Sequence, residues 1–551
     1  MRHLFLISFF IIYGVAASDP IDLANQPQAL SEGLYRNVAF PYGMPLGGIG
    51  CGSFDLKTDG WFDRLTINNN WRGYLPRPDS SFLAVWIRDE DRISCKTLRH
   101  ADPVFDSVDR IAFTGIFPHA MLTFADDDLP IDIRLDAWTP LVPWNLKDST
   151  LPGGLFVFRC KNTTERPLEI AIAFAWENLL GEGVDLQTGI PWQDRRGNYQ
   201  EPRRSRSVSG VIFSTTRTLE PSDPRRSALG TYALAVERQD SHTVTLLPSW
   251  NARSPETFMS LFSDDGMLFD EKEPGPWPTG SDIVHPAGAV SDRFVLPPGE
   301  SCEIPFALAW HCPVVIGPDG TEHHQLSAVY FDDAWDTAAY LLKNRNRLAS
   351  ETEMWRGALL SSTLPPWLKV RLLNDLIPLF SRSVLIDDRF ALIDDPYEGT
   401  LQSTLAASLT NHLIMAFFPD LVASGLRLVV DGQREGGEIL SAPGSVSEIV
   451  GGTLSGFDGV RDPKAACALA LRFYQYDQMI GDDGFRGEIY PALNRAMRWL
   501  AGQDTNQDGI PENIDTAQEP ERRRDFSSTA NLWLAALHST RDLASKLNDL
   551  Q

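Results

Sequence analysis

Short segments in which apolar and polar residues alternate occupy the chain up to about residue 325. Examples are 81–89 (SFLAVWIRD), 131–143 (IDIRLDAWTPLVP), 155–162 (LFVFRCKN), 168–178 (LEIAIAFAWEN), 231–238 (TYALAVER) and 304–311 (IPFALAWH). A period of two places one row of side chains on each face of a strand, and the Pro, Gly, Asp and Asn between the segments supply turns. The number of such segments predicts antiparallel strands in a large sandwich.

Beyond residue 325 the period lengthens. Phe331, Trp335, Ala338/Ala339 and Leu342 form one stripe, and Leu368, Leu372, Leu376 and Leu379/Phe380 a second. A third runs through Ile489, Leu493, Ala496/Met497 and Leu500. This is the spacing of amphipathic helices. Further helices are expected at 401–417, 421–430, 464–479 and 527–547, about seven in all. The expected fold is therefore α+β and multidomain: an N-terminal antiparallel β-sandwich over 18–325, then an α-helical domain over 326–551. A connecting helix near 325–350 joins them, since that stretch is not enriched in Pro, Gly or Ser.

The N-terminus changes the picture. Arg2-His3 precedes the apolar run 4–13 (LFLISFFIIY), and Val15 and Ala17 stand at the −3 and −1 positions of a signal-peptidase site. A cleaved signal peptide, 1–17, and a secreted or periplasmic protein are expected; an uncleaved anchor is the other reading. No later stretch approaches the ~18 apolar residues of a spanning helix, so no permanent membrane span is expected. Of 551 residues, 43% are hydrophobic and 22% charged, which excludes a disordered chain. Lys and Arg number 49 against 73 Asp and Glu, a net charge of −24 that repels nucleic acid. The six cysteines include no C-x-x-C pair. Cys302 and Cys312 are the first pair to test for a disulfide.

Several motifs invite chemistry that their context denies. The glycine-rich segment 45–52 (PLGGIGCG) lacks a following Lys and leads into the strand-like Ser53-Phe54-Asp55-Leu56, so it reads as a structural turn rather than a phosphate loop. His323-His324 would point opposite ways on an extended segment, which favours a solvated pair over metal ligands. Neither H-E-x-x-H nor G-x-S-x-G occurs. In 504–509 (DTNQDG), Asp504, Asn506 and Asp508 place oxygens at alternate positions before a glycine, with Asp515 beyond. That spacing suits a structural Ca²⁺, and equally an Asx-rich turn. No other cofactor is called for.

Two acidic loops lie at junctions in the helical half: 394–399 (DDPYEG), expected just before a helix, and 512–515 (ENID), extending to Asp525. Glycosidic hydrolysis needs one carboxyl group to protonate the leaving oxygen and a second to attack or stabilise the sugar cation; in retaining enzymes the two lie about 5–5.5 Å apart.

Several stretches together resemble glycoside hydrolase family 116, which includes β-glucosidases and glucosylceramidases. Gly43-Met44-Pro45-Leu46-Gly47-Gly48-Ile49-Gly50-Cys51-Gly52 is similar to the family's opening glycine motif. Asp462, Phe473-Tyr474, Gly481-Asp482, Trp499, the 504–513 turn and Leu532-Trp533-Leu534-Ala535-Ala536 resemble its catalytic-domain helices, in the same order. The resemblance implies a β-sandwich followed by an (α/α)₆ barrel, and retaining hydrolysis of β-glucosides, glucosylceramide-like or otherwise. It assigns the nucleophile to Glu398 before Gly399, with Asp394 as rival. The proton donor falls to Asp515, with Asp525 second, although the family's Thr-Tyr-Asp triplet is absent.

Other departures follow from the same resemblance. The family's sugar-holding His-Asp pair should fall near 440–443, which reads Leu-Ser-Ala-Pro, and its Cys-Thr-His stretch appears as Ser403-Thr404-Leu405-Ala406. About seven helices of a twelve-helix barrel are expected, an incomplete (α/α)₆-like domain that is either completed by a second chain or is an open, altered form of the barrel. Two functions are therefore carried forward: a secreted glycosidase acting on a carbohydrate or glycoside substrate, and a catalytically inactive relative that binds carbohydrate or a surface partner.

Overall fold

A computed structural model describes residues 34–36, 43–268, 285–409, 412–451, 454, 463–511 and 526–549. The expected signal peptide, Asp515 and Asp525 lie outside the described residues.

The alternation resolves into two facing antiparallel sheets. The larger has nine strands, in the order Leu34–Arg36, Arg110–Ile116, His119–Ala125, Ile131–Trp138, Gly153–Asn162, Ser301–His311, Thr231–Glu237, Val208–Thr215 and Asn198–Arg204. The smaller has five: Thr243–Asn251, Pro286–Leu296, Leu168–Glu177, Phe82–Asp89 and Arg92–Thr97. Leu168–Glu177 shows why the sequence folds this way. Its Ile170, Ile172, Phe174 and Trp176 enter the core between the sheets, where Phe54, Phe62 and Phe156 meet Phe174 and Trp176. Its Ala171, Ala173 and Ala175 line the outer face, where small side chains admit Phe258 and Phe262 of the helix Glu256–Asp265.

The larger sheet repeats the device. Ala233, Ala235, Ala307 and Ala309 form an outer row. Onto it packs the helix Ala334–Leu360, through Trp335, Ala338, Leu341 and Leu342. Asp333 caps that helix by accepting from Asp336 N at 2.9 Å. The connection between the halves is thus a buried helix laid on a sheet.

The helical half departs from its pattern in three places. The second stripe is broken: the helix Pro366–Asn374 ends before Pro378, whose ring cannot continue it, and only the short turn Pro378–Ser381 follows. The expected helix 401–417 is two short helices, Thr404–Leu409 and His412–Phe417. Between them and the second stripe lies an unexpected three-stranded sheet, Ser383–Ile386, Arg389–Asp395 and Thr400–Leu401. The helices Pro419–Asp431, Pro463–Ile480, Asp483–Ala501 and Phe526–Lys546 follow, and Ile489, Leu493, Ala496, Met497 and Leu500 are all buried as their spacing requires. Among the described residues no helix is long and apolar enough to cross a membrane.

None of the six cysteines is in a disulfide, which corrects the expected Cys302–Cys312 pair. The two stand at the start and just past the end of the extended strand Ser301–His311, ten residues and about 33 Å apart.

Candidate active site

The glycine segment is a seam. Gly50 has φ 75°, and a Cβ there would stand 2.4 Å from the Leu385 Cβ. Its N–H donates to Ser383 Oγ at 2.8 Å. The loop therefore seats the three-stranded sheet of the helical half directly on the sandwich, as a structural turn and not a phosphate site.

That sheet carries Glu398. The acidic segment 394–399 is the turn between Arg389–Asp395 and Thr400–Leu401 rather than a helix approach, which corrects its expected setting. Asp395 Oδ1 accepts from Tyr397 N at 2.8 Å and Glu398 N at 3.4 Å, so its carboxylate shapes the turn. Gly399, with φ 66°, closes it in a conformation costly for other residues. Asp394 is exposed, and its carbonyl accepts from Arg382.

Opposite the turn stands Arg72, from the sandwich half. Its Nη2 donates to Glu398 Oε2 at 3.4 Å, its Nε to Tyr397 O, and its Nη1 to the carbonyls of Leu186 and Gln187. The Glu398 side chain is 68% exposed and that of Arg72 17%. Gly73 N donates to Pro396 O at 2.7 Å, locking the two segments together. The Tyr74 and Tyr397 rings meet edge to face at 5.7 Å, and Arg64 donates to the Tyr74 hydroxyl. The result is an open, polar and aromatic surface around one carboxylate, at the junction of the two halves.

The preceding asparagines place Arg72. Asn68 and Asn69 adopt left-handed conformations, φ 63° and 55°, in the buried run Asn68-Asn69-Asn70. Asn69 Nδ2 donates to the carbonyls of Ser227, Cys312 and Val314, and its Oδ1 accepts from Gln325. Asn68 Nδ2 donates to the carbonyls of Leu179 and Glu182. Asparagine tolerates this backbone, and its amide satisfies carbonyls from several loops at once. The run Asn-Asn-Asn-Trp-Arg-Gly at 68–73 was the only sequence signal of this arrangement.

Other expected sites fall elsewhere. The position of Asp515 relative to Glu398 lies outside the described residues. The 440–445 segment does flank the Glu398 hairpin: Thr404 N donates to Ser441 O, Thr404 Oγ1 to Leu440 O, and Leu401 N to Gly444 O. In the 504–509 turn every side-chain oxygen of Asp504, Asn506 and Asp508 accepts an N–H. Asp504 takes Asp508 N and Gly509 N, Asn506 takes Asp508 N, and Asp508 takes Ile510 N and Asn506 Nδ2. These bonds make the segment an Asx-rich turn; among the described residues no group of three or more His, Cys, Asp or Glu could hold a metal, and Asp515 lies outside them. The Asx-turn reading fits. His323 is not simply solvated: its Nδ1 lies 2.6 Å from Asp387 Oδ2, whereas His324 is exposed.

Two hollows accompany the site. The loop that Arg72 clamps also lines an open groove of about 570 Å³, walled by Asp185, Ile190, Trp192, Glu220, Asp223 and Arg225. Behind the hairpin lies a small apolar cavity of about 80 Å³, walled by Phe390, Leu392, Leu421, Leu426 and Leu469 together with Arg472. Glu177 and Glu182 converge on Arg195, but their side chains are 8% and 2% exposed, which leaves no access for a sugar.

The sequence profile of glycosyl-hydrolase family 116, N-terminal, described as beta-glucosidase 2, matches residues 43–348, more than half of the chain. Among solved structures the fold is similar to a bacterial glucoamylase complexed with acarbose, at 10% identity and TM-score 0.38, covering 92% of this chain and 63% of that one. It is also similar to a putative kojibiose phosphorylase from human microbiome, at 10% identity and TM-score 0.39, covering 84% and 57%. A family GH92 alpha-mannosidase from Bacteroides thetaiotaomicron matches at 9% identity and TM-score 0.30, covering 92% and 61%. The chain thus spans about three fifths of the length of each.

Proposed function

This chain belongs to glycosyl-hydrolase family 116, and on that premise we propose that it is an exported glycosidase that hydrolyses β-glucosides with retention. Glu398 attacks the anomeric carbon and forms a glycosyl-enzyme. Asp515, or Asp525 in its place, protonates the leaving oxygen and then draws the proton from the incoming water. The observation that carries the reading is the placing of Glu398. It sits at the tip of a hairpin, open to solvent, beside a guanidinium that neighbouring carbonyls hold in place. A carboxylate that can reach a bound sugar from the open side of a hairpin is what a glycosidic nucleophile requires. The exposed Tyr397 offers a ring face to a sugar, and Trp192 and Ile190 in the adjoining groove offer apolar surface to an aglycone.

The test is turnover of aryl β-glucosides by the purified protein and by Glu398→Gln. Loss of turnover in a variant that melts like the parent supports the nucleophile; equal turnover overturns it. One observation favours the inactive, carbohydrate-binding reading: Leu440, Ser441, Ala442 and Pro443 flank the hairpin with no charged group. Failure of the parent to cleave any aryl glycoside, with retention on immobilised glucoside, would establish that alternative.

A further inference from the structure

Three side chains drawn from both sheets of the sandwich form a chain of contacts. His242 immediately precedes the strand Thr243–Asn251, Asp292 lies on Pro286–Leu296, and Cys302 begins Ser301–His311. His242 Nδ1 lies 2.8 Å from Asp292 Oδ2, and His242 Nε2 lies 3.5 Å from Cys302 Sγ. The imidazole is stacked on Phe294, with centroids 4.7 Å apart and planes at 16°. The His242 and Asp292 side chains are 4% and 0% exposed, whereas Cys302 is only half-buried. Asp292 Oδ1 has no hydrogen-bond partner among the described residues.

A nucleophile within reach of a base that a third group orients is the arrangement that activates a thiol. The carboxylate takes the Nδ1 proton, so Nε2 faces the sulfur and either accepts its proton or, once protonated, donates to the thiolate. Burial alone would lower the His242 pKa, but the hydrogen bonds to Asp292 and Cys302 push it up to about 9. The other cysteines are differently placed. Burial pushes the Cys51, Cys95 and Cys312 thiols up to about 12 and that of Cys160 higher still, and Cys467 is fully buried.

Cys302 also has a second thiol across the sheet. Cys160 is its directly opposed partner between Gly153–Asn162 and Ser301–His311. Opposed residues of antiparallel strands have Cα atoms about 4.5–5.5 Å apart, within the span of about 4.4–6.8 Å that a disulfide bridges.

We propose that Cys302, His242 and Asp292 form a thiol–disulfide exchange site that reacts with a low-molecular-weight disulfide, with Cys160 as the resolving thiol. The Cys302 thiolate attacks one sulfur of the small disulfide. A Cys302–S bond forms, the small S–S bond breaks, and the released thiolate takes up the proton held by His242. The Cys160 sulfur then attacks Cys302, displacing the second small thiol, which leaves with the Cys160 proton. One small disulfide is thereby reduced to two thiols as the protein dithiol becomes a Cys160–Cys302 disulfide. Because burial holds the Cys160 thiol protonated, the mixed disulfide on Cys302 accumulates before the cross-strand bond.

The test uses the full chain and two probes, iodoacetamide and glutathione disulfide, with peptide mapping. At neutral pH Cys302, with His242 beside its sulfur, should alkylate about tenfold faster than Cys95 in the same molecules. His242→Gln should remove that advantage. Asp292→Asn, a positioning change, should move the pH midpoint of Cys302 alkylation upward, which a loss of folding alone does not do. The charges near the trio that bear on this midpoint are Cys160 on the facing strand, Glu303 and Arg159 on the other side of that sheet, and Asp240 in the turn before His242. Glutathione disulfide should give first a Cys302 adduct and then the Cys160–Cys302 bond, while Cys160→Ser should stop at the adduct. Equal labelling of Cys302 and Cys95 in the parent protein overturns the proposal, as does a His242→Gln variant that labels at the parental rate.

Discussion

Arg72 and Glu398 are separated by 326 residues in the chain and by 3.4 Å in space. One comes from the sandwich and the other from a hairpin in the helical half, so the site exists only when the halves are docked. Because Glu398 is largely exposed, the ion pair contributes little to stability, and Glu398→Gln should leave the melting temperature unchanged.

Arg72 has a larger task than its charge. It holds the carbonyls of Leu186, Gln187 and Tyr397 as well as the Glu398 carboxylate. Arg72→Met should lower kcat/KM for an aryl β-glucoside by about a hundredfold, the cost of removing one charge-stabilising donor from a site. It should also make the 185–190 loop sensitive to limited proteolysis. Arg72→Lys should recover part of the rate and none of the protection, because a single ammonium cannot reach the same carbonyls as a fork. Unchanged kcat/KM in Arg72→Met would separate Arg72 from the chemistry.

Asn69 is buried, and its side chain ties together three segments, at Ser227, at Cys312 and Val314, and at Gln325. Asn69→Ala leaves the carbonyls of Ser227, Cys312 and Val314 and the amide of Gln325 without that partner. It also places alanine at φ 55°. The expected loss is about 2–4 kcal/mol in denaturant unfolding. A loss below the error of the measurement would mean that water or a shifted loop replaces the amide.

How legible each part was depended on how local its cause is. The strand Leu168–Glu177 could be read from the sequence because both its faces are dictated by its own residues, large inward and alanine outward. The helix Asp483–Ala501 was equally readable, with one buried stripe and an Asp482 cap. The Ser383–Leu401 sheet was not, because its strands are short, flanked by helical stripes, and held by a glycine loop more than 300 residues earlier. Glu398 is a candidate only through the family resemblance, and its setting, a hairpin turn rather than the approach to a helix, is not visible in the spacing. Arg72 was missed altogether, since nothing near it in sequence requires a carboxylate. Cys302 and Cys312, the first pair to test by sequence, are carried by extended strand to opposite ends of Ser301–His311.

The helix Ala334–Leu360 is anchored to the sandwich by a buried ionic cluster, and this gives the fold an acid limit. Arg356 is fully buried and donates to the carbonyls of Ile116 and Phe117 and to Glu353. His119 Nε2 lies 3.0 Å from Glu353 Oε1. Burial opposes ionisation of Glu353, but the His119 contact and the Arg356 charge hold its pKa down to about 2. A carboxyl depressed in the folded state contributes stability that is complete above its unfolded pKa of about 4.5 and is lost as pH falls through about 2. The unfolding free energy should therefore fall between those values, and Glu353→Gln should flatten that part of the profile while lowering stability at neutral pH. An unchanged acid limb in Glu353→Gln would move its cause to other carboxylates.

The 504–509 turn separates a metal site from a structural one by a simple measurement. Asp504 accepts from Asp508 N and Gly509 N, and the Trp533 indole N–H donates to Gly509 O, which ties the turn to the last described helix. The carboxylate therefore has its work without a cation: it satisfies two amides and orders the carbonyl that receives Trp533. Asp504→Ala should lower stability by about 1 kcal/mol, the usual cost of removing an oxygen that caps backbone amides. Chelation by EDTA should leave the parent melting temperature where it was, and added Ca²⁺ should not raise it. A calcium-dependent rise that Asp504→Ala abolishes would show that the oxygens turn inward around an ion and would reverse the assignment.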